Sequence, residues 1–123
     1  MTIIEAIHKI DALKPNNYTQ TEKVKWLSNV DGIIKAEIVD THEGGSEIEF
    51  NGYTDDSPLN TELLAKAPYD DLYIKWLESQ IDYTNAEYNK YNNSITEYNA
   101  LYSAFERYYN RHHKPIQTKL KFF

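Results

Sequence analysis

An all-α fold is what this sequence predicts, on three observations. Glycine occurs only 4 times and proline only 4 times in 123 residues, so few positions break a helix. Two capping-box patterns, Thr2 with Glu5 and Thr19 with Glu22, each precede an apolar stripe of helical spacing. From Ile74 to His112 the apolar positions step by three and four residues without a slip.

The first helix is expected over Thr2–Leu13. Ile3, Ile7 and Ile10 form its stripe, with Ile4 beside it, and Pro15, Asn16 and Asn17 end it. The second should run from Thr19 to about His42. Its apolar face is Val24, Leu27, Ile34 and Ile38, flanked by Trp26, Val30, Ile33 and Val39. Gly32 sits inside that pattern, where close helix contact or a bend would use it, and Gly44 and Gly45 stop the helix.

Residues 44–67 have no helical period and hold three of the four glycines. Ile48 and Phe50 alternate with polar residues between Ser46 and Tyr53, a pattern that fits a short hairpin or strand. A loop this long is commonly functional. It is expected to be mobile in a free subunit and to contact a neighbour or partner through Glu47, Glu49, Phe50, Tyr53, Asp55 and Asp56.

Pro68 suits a helix start, and Asp70 and Asp71 complement the positive end of a helix dipole. The seam that follows is Ile74, Leu77, Ile81, Thr84, Tyr88, Tyr91, Ile95, Tyr98, Tyr102, Phe105, Tyr109 and His112. The rival to one long helix is a hairpin turning at Asn92–Ser94, where Ser94 and Glu97 make another capping-box pattern. A turn has no reason to keep the heptad phase, so one helix bent near Asn93 is the expectation. Such a helix, about 66 Å long at 1.5 Å per residue, is too long for the first two helices to cover. Tyr98, Tyr102 and Tyr109 are therefore expected to meet another subunit.

The chain thus divides into a helical domain, 1–113, and an extended tail, 114–123. In the tail Ile116, Thr118, Leu120 and Phe122 alternate with Gln117, Lys119, Lys121 and Phe123. A lone strand leaves its backbone groups unpaired, so a partner should take it up, with Lys114, Ile116, Lys119, Leu120, Lys121, Phe122 and Phe123 as the contacts.

Composition narrows the function. Net charge is −6, which disfavours nucleic-acid binding by the molecule as a whole. No cysteine is present, which removes disulfides and thiolate chemistry. No apolar run approaches the ~20 residues that span a bilayer, and Glu5, His8 and Lys9 interrupt any signal-type stretch, so no membrane partner is expected. His8, His42, His112 and His113 are not at metal-ligand spacing. Asn51–Glu62 has the length of a calcium loop, but its third and sixth positions are Tyr53 and Asp56. No phosphate-binding glycine loop or nucleophile motif occurs, so neither a catalytic role nor a cofactor is expected. Charge is sorted along the chain: ten acidic residues and one lysine lie between Glu37 and Asp71, whereas Arg107, Arg111, Lys114, Lys119 and Lys121 follow Glu106 without an acid. Contact between two such patches is heterologous and builds rings or filaments.

Several short motifs resemble a family. They are Trp26-Leu27-Ser28 with Asp31-Gly32, Asp40-Thr41-His42-Glu43-Gly44, Phe50-Asn51-Gly52-Tyr53, Glu62-Leu63-Leu64 through Ala67-Pro68-Tyr69-Asp70, Tyr91-Asn92-Asn93-Ser94, and Tyr108-Tyr109-Asn110-Arg111. Together they resemble the small head-tail connector (adaptor) proteins of phages and prophages of Gram-positive bacteria, over nearly the whole chain. The resemblance implies a virion subunit made in the host cytoplasm. It would form a ring, a dodecamer matching the portal protein, and would also contact a neck, stopper or tail-completion protein. DNA would pass through the lumen without specific contact. The alternative is a soluble phage accessory protein that binds a host protein through its tyrosine-rich helical face.

Overall fold

The structure, a computed structural model, describes residues 1–116. Its α-helices are α1 (Ile3–Leu13), α2 (Gln20–Ile34), α3 (Asp71–Thr84) and α4 (Tyr88–His112). No strand forms among the described residues, so the fold is all-α as the sequence predicts. Both capping boxes operate. Thr2 Oγ1 accepts from Glu5 N at 3.2 Å, and Thr19 Oγ1 accepts from Glu22 N at 3.2 Å. α2 runs into one π-helical turn, Lys35–Val39, and stops three residues short of His42. The Thr41 hydroxyl lies 2.8 Å from Ile38 O and 3.1 Å from Glu37 O, the carbonyls the helix leaves free.

The long C-terminal helix is present as α4, but it does not begin near residue 68. Residues 71–84 form a separate helix, and the chain reverses at Asn85–Glu87. The reversal is a Schellman motif. Glu87 N donates to Asp82 O at 2.9 Å and Ala86 N donates to Tyr83 O at 3.0 Å. Ala86, at φ 59°, occupies the left-handed position that glycine normally fills, so the usual sequence signal is missing. The three-residue turn also hides in the spacing. Thr84 and Tyr88 are four apart, and the seam crosses the turn in phase. Asn92–Ser94, the rival turn site, lies inside α4. Left-handed backbone costs an L-residue ~1–2 kcal/mol, partly offset by the extra unfolded-state freedom of glycine. Ala86→Gly should therefore stabilise the protein by about 0.5–1 kcal/mol. A denaturant midpoint that falls would show that Ala86 makes contacts worth more than its strain.

The reversal changes what the apolar faces do. α3 packs on α1 and α2 and on α4, so it lies at the centre of the fold. Leu72, Tyr73, Ile74, Leu77 and Ile81 are buried there. α4 adds Ser94, Tyr98, Phe105 and Tyr109 to the interior. Tyr98, Phe105 and Tyr109, part of the apolar length expected to need another subunit, are used inside the fold, whereas Tyr88 is exposed.

The 44–67 segment does not form a hairpin. It begins with a 3-10 turn, Gly45–Glu47, and its second half is core. Leu63 and Ala65 are fully buried. The N-terminal segment pairs with that half: Leu63 N donates to Met1 O at 2.9 Å, Ile3 N to Thr61 O at 3.0 Å and Ile4 N to Leu59 O at 3.0 Å. Residues 59–65 are thus tied to the N-terminal segment and the core. Helix α3 starts at Asp71 without a side-chain cap, and Pro68 lies upstream in the turn of residues 67–70.

Candidate interaction surface

Three polar joints hold the elements that carry the surface. The first is built on Asp31, which α2 places facing α3 with no exposed area. Its Oδ2 accepts from the Tyr53 hydroxyl at 2.5 Å and from Leu64 N at 3.1 Å, and its Oδ1 accepts from the Tyr73 hydroxyl at 2.5 Å. The Tyr73 oxygen in turn accepts from Ala65 N at 2.7 Å. Ser28 Oγ, one turn before Asp31, accepts from Tyr53 N at 2.9 Å. Burial raises the Asp31 pKa above the ordinary carboxylate value, against the lowering effect of its donors. Burial and the Asp31 charge push the Tyr53 and Tyr73 hydroxyls well above their ordinary values, so both stay protonated donors.

The second joint is His42, buried beyond the π turn. Its Nδ1 lies 2.5 Å from Ile38 O and its Nε2 lies 2.7 Å from Asn110 Oδ1. Tyr109 packs edge-on against it at 4.8 Å and stacks on His113 at 3.8 Å. With Nδ1 donating to Ile38 O, Nε2 is left to accept, which requires the Asn110 amide turned so that its NH2 faces the ring. With both nitrogens engaged, this imidazole has no free position for a metal. Among the described residues no group of three or more His, Cys, Asp or Glu side chains is placed to hold one.

The third joint lies at the hairpin end. Lys14, just past α1, pairs with the buried Asp82 carboxylate, which also lies 3.1 Å from Ser94 Oγ on α4. The Tyr18 hydroxyl bonds to Asn85 Oδ1. One buried acid thereby ties α1, α3 and α4 together.

The expected contact residues divide by position. Tyr98 and Tyr109 are buried, at 6% and 7% exposure, so the subunit contacts expected of them are made inside the fold. Tyr98 packs on Trp76 with ring centroids 5.1 Å apart. Tyr102 is half-buried, and its hydroxyl donates to Glu37 Oε2 at 2.5 Å. Burial and the Glu37 carboxylate raise its pKa. Glu47, Glu49, Asp55 and Asp56 are exposed. Phe50 and Tyr53 are half-buried and pack edge-to-face at 5.2 Å. A side chain at Gly32 would begin 3.9 Å from Phe50, so this glycine faces the loop rather than a second helix. Lys114 and Ile116 are exposed, yet their backbones are bonded to the subunit itself: Glu43 N donates to Lys114 O at 2.8 Å and Ile116 N donates to Thr41 O at 2.9 Å. Lys119, Leu120, Lys121, Phe122 and Phe123 lie outside the described residues.

Sequence reasoning missed one cluster. Tyr83 and Tyr88, 58% and 57% exposed, meet at the hairpin end with ring centroids 5.9 Å apart, and Tyr91 lies 5.3 Å from Tyr83. A depression of about 490 Å³ lined by Ala86, Glu87, Tyr88, Asn89 and Lys90 adjoins them. In the sequence Tyr69, Tyr73, Trp76 and Tyr83 are spaced as a second apolar stripe, so Tyr83 reads as buried until the turn at Asn85–Glu87 is known.

No known protein family, curated protein or solved structure matches the chain. The likeness to connector proteins therefore rests on the motifs alone. In this structure several motif residues lie in the joints: Ser28, Asp31 and Tyr53 in the first, His42 and Asn110 in the second, Ser94 in the third. These residues hold the internal architecture.

Proposed function

We propose that the chain is a structural subunit of a phage head-tail connector. It assembles into a ring, a dodecamer matching the portal, and neck, stopper or tail-completion proteins add to its other side. The observation that carries this reading is the motif set spread over nearly the whole chain. Two physical features support it. The exposed acids of residues 47–56 would repel phosphate, so DNA could slide past such a surface without being held. Acidic loop and basic tail are also different patches, which is what a ring contact requires. No helix among the described residues is long and apolar enough to cross a membrane.

The test mixes the purified chain with portal oligomers of the same phage or prophage. Co-sedimentation with the portal, and ring density at its base in negative-stain images, are the expected results. Truncation after Pro115 should abolish both while leaving the helical circular-dichroism signal intact. A chain that stays monomeric and never joins the portal would overturn the reading. One observation favours the second reading, an accessory protein that binds a host protein: the cluster of exposed Tyr83 and Tyr88 with half-buried Tyr91 has the amphipathic aromatic character of a contact surface. In that case changes at Tyr83 and Tyr88, and not truncation of the tail, would abolish capture of the partner.

A further inference from the structure

The reversal at Asn85–Glu87 sits in a stretch whose sequence suits unbroken helix. Its three residues include neither glycine nor proline, and alanine and glutamate are strong helix formers. Ala86 nevertheless holds the left-handed conformation, at φ 59°, which an L-residue adopts only at a cost. The backbone on each side already bonds as one helix would. Asn85 N donates to Ile81 O and Tyr91 N to Glu87 O, both at 2.9 Å and both across four residues. Between them Ala86 and Glu87 have exchanged acceptors. Ala86 N takes Tyr83 O and Glu87 N takes Asp82 O, where a continuous helix pairs Ala86 with Asp82 and Glu87 with Tyr83. α4 also begins without a side-chain cap. In a continuous helix its first amides, at Tyr88, Asn89 and Lys90, would bond to the carbonyls of Thr84, Asn85 and Ala86.

Straightening this turn in a lone chain would strip α4 from α3 and leave both apolar faces in water. A second copy removes that cost. When two chains extend through the turn and exchange α4, the α3–α4 contacts are remade between copies: the Trp76–Tyr98 packing, the Lys75–Glu97 ion pair and the Asp82–Ser94 bond. The bonds from α4 to the rest of the fold, Asn110 to His42 and Tyr102 to Glu37, are remade with them. Core burial is then the same in both forms, and the turn decides the balance. The extended form gains there twice. Ala86 leaves its left-handed position in each chain. The two straightened turns also lie side by side, because the end of each α3 meets the start of the other copy's α4. In the folded-back chain Tyr83, Thr84 and Tyr88 are exposed at this point. In the extended form Thr84 and Tyr88 continue the seam of Ile81 and Ile95 along the new contact. The unbroken spacing across the turn, which a folded-back pair does not require, is what a continuous helix needs.

We propose that the chain forms a domain-swapped dimer, in which residues 71–112 become one helix about 63 Å long and α4 of each copy packs on α3 of the other. The proposal does not depend on the connector reading, and its test needs no portal. The chain has no cysteine, so Lys75→Cys with Glu97→Cys supplies one thiol on each helix at a site where the two helices touch. The full chain with this pair is refolded from urea at about millimolar and at micromolar concentration, separated by size exclusion and joined with a short bismaleimide. A dimer should form in the concentrated sample, and its linked product should run as two joined chains on a denaturing gel. The monomer should give single chains closed on themselves. Residue 86 sets the balance. Ala86→Gly removes the strain of the turn and weakens the continuous helix, so it should raise the dimer's dissociation constant about a hundredfold. Ala86→Val, whose branched side chain tolerates positive φ least, should lower it about tenfold. Circular dichroism controls for folding, and the comparison of wild type with Ala86→Gly stands alone where the valine variant does not fold. Three results would each overturn the proposal: no dimer after concentrated refolding, a dimer whose links close within single chains, or a dissociation constant unmoved by Ala86→Gly.

Discussion

Replacing Asp31 by alanine should lower the unfolding free energy by about 3–5 kcal/mol, because it strips the acceptor from several donors at once. Leu64 N has no other partner among the described residues, and Tyr73 is fully buried. Tyr53 is half-buried and can recover part of its loss from water. Asp31→Asn should cost less, about 1–3 kcal/mol, since the amide keeps one acceptor but turns a donor toward the donors that Asp31 satisfies. The pair also tests the electrostatics. Burial raises the Asp31 pKa on folding from its ordinary 3.8. A carboxyl raised in this way binds its proton more tightly in the native state. Its favourable contribution is full below the ordinary value and is lost as pH rises through the raised one. The stability gap between wild type and Asp31→Asn should therefore narrow as pH rises from about 4 toward 7. Urea midpoints of both proteins across that range check it, and a gap that widens with pH would mean that Asp31 is stabilised as the anion.

Leu63→Ala should cost about 2–5 kcal/mol, the range of a core leucine, although residue 63 belongs to no helix. Leu63 is fully buried, like Leu77 at the centre of α3, and its backbone is tied to Met1 O at 2.9 Å. Leu77→Ala is the reference, and the two losses should be similar. Ile48→Ala, in the exposed half of the same segment, should change stability by no more than about 0.5 kcal/mol. Chemical denaturation of the three variants decides whether the segment is one mobile loop or an exposed stretch joined to a core element. A Leu63→Ala cost near that of Ile48→Ala would restore the mobile loop.

Much of the fold was legible in the sequence because helices are coded locally. Thr2 with Glu5 and Thr19 with Glu22 announce two helix starts within three residues of chain, and a hydroxyl close to an unsatisfied amide needs no tertiary context. Ile3, Ile7 and Ile10, and Val24, Leu27, Ile34 and Ile38, mark buried faces for the same reason: a 3.6-residue period brings them to one side wherever the helix docks. The acidic stretch and its exposure at Glu47, Glu49, Asp55 and Asp56 also follow from composition.

Contacts distant in sequence decided the rest. A 3.5-residue period records only which residues face a neighbour, and α3 and α4 face each other across their own turn. The seam therefore reads alike for one long helix and for two folded back, and the three-residue turn at Asn85–Glu87 preserves its phase. Neither glycine nor proline marks that turn, because Ala86 takes the left-handed position while the packing of α3 on α4 outweighs its strain. The polar joints were illegible for a related reason. Asp31 meets Tyr73 across 42 residues of chain, and His42 meets Asn110 across 68. A carboxylate or imidazole reads in sequence as a surface residue, since burial without partners would be costly. Only the fold brings the donors and acceptors that make those buried positions favourable. The tyrosines depend on the same geometry. Tyr98 packs on Trp76 across the hairpin and Tyr109 packs on His42, while Tyr83 and Tyr88 stand exposed, because the reversal at Ala86 sets which side of each helix is covered.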